Sequence, residues 1–270
     1  VRGIVAAVTG FLAQHEGFII ESAQFGDAST GRFFLRIEFS TGEGTPPEDF
    51  FKQKFHAEVG QRFAMQWQLH NKARKSRLVI LVSKHGHCLN DLLHRYQART
   101  LPVEIAAVVS NHPDLQEMVE WHRIPFYHLP ANDRAAQEAE VWGLTQRHRA
   151  DLVVLARYMQ ILSFDLCAKL AGNAINIHHS FLPSFKGARP YRQAFDHGVK
   201  LIGATAHYVT TDLDEGPIID QEVARVDHTF RPEDLEAMGR DIECQVLARA
   251  IRFHIEHRVL INGPKTVVFR

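Results

Sequence analysis

Cysteine is scarce in this chain, with only Cys88, Cys167 and Cys244 among 270 residues. They are odd in number, widely spaced and never part of a Cys-x-x-Cys pair. This excludes a disulfide framework and a zinc ribbon, and the expectation is reduced thiols in a cytoplasmic protein. Net charge is lacking too. Lys plus Arg and Asp plus Glu each number 31, so no basic field recruits nucleic acid or an anionic membrane. No apolar run approaches the roughly 18 residues of a spanning helix, and the start shows no signal-peptide pattern. Internal repeats and low-complexity segments are also absent. What is present is ordinary for a soluble globular chain, 45% hydrophobic and 23% charged, with room for two unequal domains. Histidine is the exception at 17 residues, most of them expected at the surface or behind functional groups.

Residues 1–70 follow a pattern of their own. Ile4, Val8 and Leu12, with Val5 beside them, repeat at helical spacing, and Gly17 stops that helix. Ile19 to Phe25 reads as a strand, Gly26 to Gly31 as a turn, and Phe33, Leu35, Ile37 and Phe39 as the inner face of a second strand. Pro46 and Pro47 open a helix through about Val59, and Phe63, Met65, Trp67 and Leu69 alternate as a third strand. Helix, strand, strand, helix, strand is a ferredoxin-like βαββαβ unit whose first strand is expected to be missing from the chain, which starts at Val1. Lys72, Arg74, Lys75 and Arg77 make residues 71–77 a solvated linker.

From residue 78 to 270, short apolar runs alternate with helical stretches. The runs are Leu78–Val82, Val103–Val109, Ile124–Leu129, Leu152–Ala156, Ala174–His178, Gly203–Val209 and Ile218–Val223. Such alternation predicts an α/β domain with a doubly wound, mostly parallel sheet, whose site lies at the strands' carboxyl ends. Leu235, Met238, Ile242, Val246, Ala250 and Phe253 mark a long closing helix, and Asn262-Gly263 a turn between two short strands.

The most informative stretch is Asn176 to Phe185, Asn-Ile-His-His-Ser-Phe-Leu-Pro-Ser-Phe. Strand alternation turns Asn176 and His178 to one side and Ile175 and Ile177 into the core. An amide that can donate to an oxyanion, beside an imidazole that carries a proton near neutral pH, suits carbonyl chemistry. Thirty-six residues after His178, Leu213-Asp214-Glu215-Gly216-Pro217 places a carboxylate just before another strand.

Asn-x-His with a later Leu-Asp-x-Gly-Pro-Ile resembles the folate-dependent formyltransferases and hydrolases. The resemblance spans about residues 78–226 and includes Leu182 to Gly187 and the strand Gly203 to Val209. It implies a catalytic trio of Asn176, His178 and Asp214. Asn176 and His178 would stabilise the oxyanion formed when an acceptor attacks a formyl group on N10 of a reduced folate. Asp214 would orient His178, raise its basicity and take part in proton movement. Val153 to Leu162 is similar to the family's pterin-binding segment, which implies folate contacts from Met159, Gln160, Ile161 and Leu162, and from Thr211, Asp212 and Leu213. Thr205 and His207 share a strand face and are expected to support the site from behind.

In the glycinamide ribonucleotide transformylases of that family, the first strand–helix loop is a Gly-x-Gly-Ser phosphate cradle. Here Lys84, His85 and His87 stand in its place. No complementary carboxylate and no His-x-x-x-His spacing accompany His85-Gly86-His87-Cys88, so no metal is expected. The altered loop and doubled His178-His179, together with Gly31 to Phe34, His87 to Leu93, Val103 to Val109 and Gly187 to Tyr191, resemble the branch that hydrolyses 10-formyltetrahydrofolate with water as acceptor. In that branch residues 1–70 correspond to a small-molecule-sensing ACT-like domain. What the resemblance implies is a cytoplasmic hydrolase with a folate substrate and no tightly bound cofactor. Its ACT-like sheet pairs with another copy as a dimer or tetramer, with an amino-acid effector where two units meet. The alternatives are transfer to glycinamide ribonucleotide, or a non-catalytic folate or amino-acid sensor.

Overall fold

A computed structural model of the chain describes residues 2–183 and 190–270. It divides into two compact units, one running to Ala73 with Phe269 and Arg270, the other Arg74–Val268.

In the first unit, α1 (Ile4–Gln14) leads into the antiparallel pair β1 (Phe18–Asp27) and β2 (Arg32–Ser40), followed by α2 (Glu48–Phe55) and a π-helical turn at His56–Gly60. Gly17 ends the first helix as expected, its N–H donating to Leu12 O at 2.8 Å. Glu48 and Asp49 open α2, where the helix dipole favours negative charge. Val8, Phe11, Leu12, Phe51, Phe55 and Val59 form the core. Phe11 meets Phe51 and Phe55 edge-on at 5.1 and 5.2 Å, the geometry that ring quadrupoles prefer. One expectation changes. Phe63, Met65, Trp67 and Leu69 do pack on this core with the expected alternation, yet residues 65–70 form no ladder. In the βαββαβ plan the last strand pairs with the first, and among the described residues β1 and β2 have only each other.

In the second unit all seven apolar runs form strands of one sheet: β3 (Ser76–Val82), β4 (Val103–Ser110), β5 (Phe126–His128), β6 (Leu152–Leu155), β7 (Ala174–His178), β8 (Leu201–Tyr208) and β9 (Ile218–Arg225). β3 begins inside the stretch read as a linker, because the Arg77 N–H and the Arg74 guanidinium both bind Asp151. The strand order is β5-β4-β3-β6-β7-β8-β9, parallel from β5 to β7 and antiparallel at β8 and β9. The order reverses between β3 and β6, which opens a crevice at their carboxyl ends.

The helices are α3 (His87–Gln97), α4 (Gln116–Trp121), α5 (Arg134–Arg147), α6 (Phe164–Lys169), α7 (Pro190–Asp196) and α8 (Pro232–Ile255). Alternation splits each buried strand between two cores. Leu78, Ile80, Ile175 and Ile177 meet α3 and α8 on one face, while Val79, Leu81, Val153 and Leu155 meet α5 and α6 on the other. A hairpin of β10 (Val259–Asn262) and β11 (Lys265–Val268) follows α8, turning at Gly263 with φ 63°. Among the described residues no helix is long and apolar enough to cross a membrane.

Candidate active site

One strand, β7, and the loop between β8 and β9 bring Asn176, His178 and Asp214 together. Asn176 and His178 leave the same face of β7, with Ile175 and Ile177 buried behind them. Asp214 arrives on the loop between β8 and β9 with a left-handed φ of 56°. Gly216 is what lets that loop fold so tightly. A side-chain carbon there would stand 1.7 Å from Tyr208 O, while the Tyr208 N–H donates to Pro217 O at 3.0 Å. The Asp-x-Gly-Pro spacing is thus the turn that aims the carboxylate.

Asp214 Oδ2 lies 3.3 Å from His178 Nδ1, and Oδ1 lies 3.6 Å from His207 Nε2. His178 is buried, and its Nε2 has no partner among the described residues. With Asp214 holding Nδ1–H, Nε2 is the nitrogen left for chemistry. His207 Nδ1 faces Tyr208 O at 2.9 Å, an atom that only accepts, so Nδ1 carries the proton. Asn176 Nδ2 lies 3.3 Å from His207 Nε2, and the same amide nitrogen reaches Asp214 Oδ1 at 3.5 Å. Burial would raise the Asp214 pKa, but hydrogen bonds from His178 and His207, with their charges, outweigh it and hold the carboxyl well below its usual range.

The residues expected to touch folate fall in two groups. Met159 and Ile161 after β6 and Leu213 before Asp214 expose 54%, 61% and 58% of their surface, with Phe181 exposed after β7. These are large apolar side chains left uncovered around a polar trio. Gln160, Thr211 and Asp212 share those loops, and Leu162 packs inward on the core below. Thr205 is different. It is fully buried, and its hydroxyl donates to Ser180 O at 2.9 Å while accepting from the Leu182 N–H at 3.0 Å. With Gln221 also bonded to it at 2.9 Å, Thr205 holds the loop after His178, as a supporting residue would. The motif residues Ser184 to Arg189 lie outside the described residues.

One cluster has no role in the sequence reading. Glu243, in the middle of α8, is buried and bonded to His87 Nε2 at 2.7 Å and to the Tyr191 hydroxyl at 2.6 Å. Arg157 Nε lies 3.4 Å away. Burial would raise the Glu243 pKa, yet bonds from His87 and Tyr191 and the charge on Arg157 keep it lowered. The carboxylate that binds His87 stands 156 residues later in the chain, and only the fold brings it there. The visible signal is a glutamate inside the apolar stripe of α8. His87, Cys88 and Glu243 have ligand atoms within 4.8 Å of one another. Glu243 is already shared among His87, Tyr191 and a guanidinium, a donor set that serves an ion pair better than a cation.

A mostly parallel sheet with this trio at its carboxyl edge defines a formyl transferase domain, and residues 76–251 match the model of the formyl transferase family. Over 99% of its length the chain is 51% identical to a formyltetrahydrofolate deformylase from a Corynebacterium species, covering 94% of that protein. The chain belongs to the formyltetrahydrofolate deformylase family. A solved formyltetrahydrofolate deformylase from Pseudomonas syringae pv. tomato, 51% identical, superposes with a TM-score of 0.96 over 99% of this chain and 90% of that one. A glycinamide ribonucleotide transformylase from Symbiobacterium toebii reaches 0.70 at 29% identity, over 76% of this chain and 99% of that one.

Proposed function

We infer that the protein hydrolyses 10-formyltetrahydrofolate to formate and tetrahydrofolate. The observation that carries this reading is the trio, in which Asp214 grips His178 Nδ1 and leaves a buried Nε2 without a partner among the described residues, set within a chain that matches deformylases over nearly its whole length. Transfer to glycinamide ribonucleotide is disfavoured, because likeness to that transformylase stops at 76% of the chain and the first loop carries Lys84, His85 and His87. A non-catalytic sensor would have no use for the trio.

Water adds to the formyl carbon, and negative charge gathers on the formyl oxygen. Both Asn176 contacts are long, so one N–H can exchange its weak bond for the stronger oxyanion. His178 Nε2 is placed to move a proton between water and N10, and Asp214, ionised throughout, balances the imidazolium. Met159 to Leu162 and Thr211 to Leu213 hold the pterin, the exposed Met159, Ile161 and Leu213 covering its faces.

The enzyme works in the cytoplasm without a tightly bound cofactor or metal. It is a homo-oligomer joined through its first unit, where an amino-acid effector binds. Supporting the oligomer are Phe18 and Ile20, exposed 72% and 59% on β1. Turnover in heavy-oxygen water tests the reaction. Hydrolysis places one solvent oxygen in each formate, whereas unlabelled formate would overturn the reading.

A further inference from the structure

The buried side-chain nitrogens left without a hydrogen-bond partner among the described residues are His178 Nε2 and Arg157 Nε and Nη1. An unpartnered buried donor is costly, the more so when charged, so such a group marks a place that a ligand completes. His178 Nε2 has the formyl group to serve, and Arg157 has no such assignment. Its position is nonetheless fixed. The Arg157 carbonyl accepts from the Ser83 N–H at 3.2 Å, its side chain is 11% exposed, and Glu243 ion-pairs with Nε at 3.4 Å, which leaves Nη1 as the donor with neither bond nor charge partner among the described residues. Glu243 is itself fixed by His87 and Tyr191. Gly239, one turn earlier on α8, makes the room, since a side-chain carbon there would meet the Tyr191 hydroxyl at 2.1 Å. His179 joins the two parts of the site. Its ring centre lies 5.0 Å from that of His178 and 6.4 Å from that of Tyr191.

We propose that Arg157 and His179 form a carboxylate subsite for the second oxygen of formate, the oxygen that enters as water. This rests on the hydrolysis reading. While His178 moves one water proton to N10, the water's other O–H needs an acceptor and its oxygen a donor, and the neutral His179 imidazole and the Arg157 guanidinium provide them. Burial, with the charge on Arg157, pushes His179 down to about 3, so it stays neutral. The water oxygen forms the new C–O bond as the carbonyl pair moves onto the oxygen beside Asn176 and His178. When the C–N10 bond breaks, N10 takes one of the water's protons, and the other goes to solvent as formic acid ionises. The product has one oxygen at the trio and the other at Arg157, where a fork of N–H donors suits a carboxylate.

Sodium formate titrated into the whole protein tests this, read by broadening of the formate proton resonance and by inhibition of turnover. The parent protein binds formate. Arg157→Gln weakens that binding by roughly tenfold or more with the folate KM little changed. Asp214→Asn loses turnover and keeps formate binding. Should Arg157→Gln fail to fold, His179→Ala is read the same way. Equal binding by parent and variant, or none by the parent, overturns the subsite. Failure of the hydrolysis reading would show separately, as no formate released from 10-formyltetrahydrofolate.

Discussion

Asp214 is asked to do two things, to fix the His178 tautomer and to balance its charge, and each has a measurable consequence. Asp214→Asn should lower turnover by roughly 10²–10⁴-fold and Asn176→Ala by about 10²–10³-fold, both with folding intact. Near-normal turnover in either well-folded variant would move the site elsewhere. The lowered Asp214 pKa also fixes the sign of an acid effect. Folding favours the ionised form, so its contribution is complete above the ordinary value of 3.8 and is lost as pH falls from there toward the native value. The gap in urea midpoint between parent and Asp214→Asn should therefore be constant above roughly pH 5 and narrow below pH 4. A gap that stays flat into stronger acid would mean that Asp214 is not held ionised by its histidines. Asn176 and His178 were legible because two residues on one strand must share a face. The Glu243–Arg157–His87–Tyr191 cluster was not, because its members come from four elements and only folding brings them together.

The loop carrying Asp214 depends on a glycine for a reason of space. Gly216→Ala would drive a methyl group into the Tyr208 carbonyl, a separation of 1.7 Å in the present backbone. The backbone must move, and Asp214, two residues earlier, moves with it. We expect destabilisation of about 1–3 kcal/mol in urea unfolding and a loss of turnover on the order of 10²-fold. A variant of normal turnover would show that the turn does not aim the carboxylate. The seven strands of the larger unit were legible because each contains a short apolar run, and in β3, β4 and β6 burial on both faces leaves no other use for such runs. The reversed direction of β8 was not, since periodicity carries no sense of direction. In residues 63–69 the alternation was right and the strand was not, because alternation reports which side chains are buried, whereas a strand also needs a neighbour for its backbone.

For the whole chain, the exposed Phe18 and Ile20 on β1 predict self-association through the first unit. Light scattering should report a dimer or tetramer, and Phe18→Asp with Ile20→Asp should shift it toward monomer. A monomeric parent whose rate ignores every added amino acid would leave that unit as a packing element. The neutral charge balance and absent basic field, read first from composition, fit a small-molecule substrate and give no hint of which one; that identification came from the trio and the family. Acceptor-free turnover tests it most directly. Pure protein given 10-formyltetrahydrofolate alone should release formate and tetrahydrofolate in equal amounts through many turnovers. Turnover that begins only when glycinamide ribonucleotide is added would contradict hydrolysis.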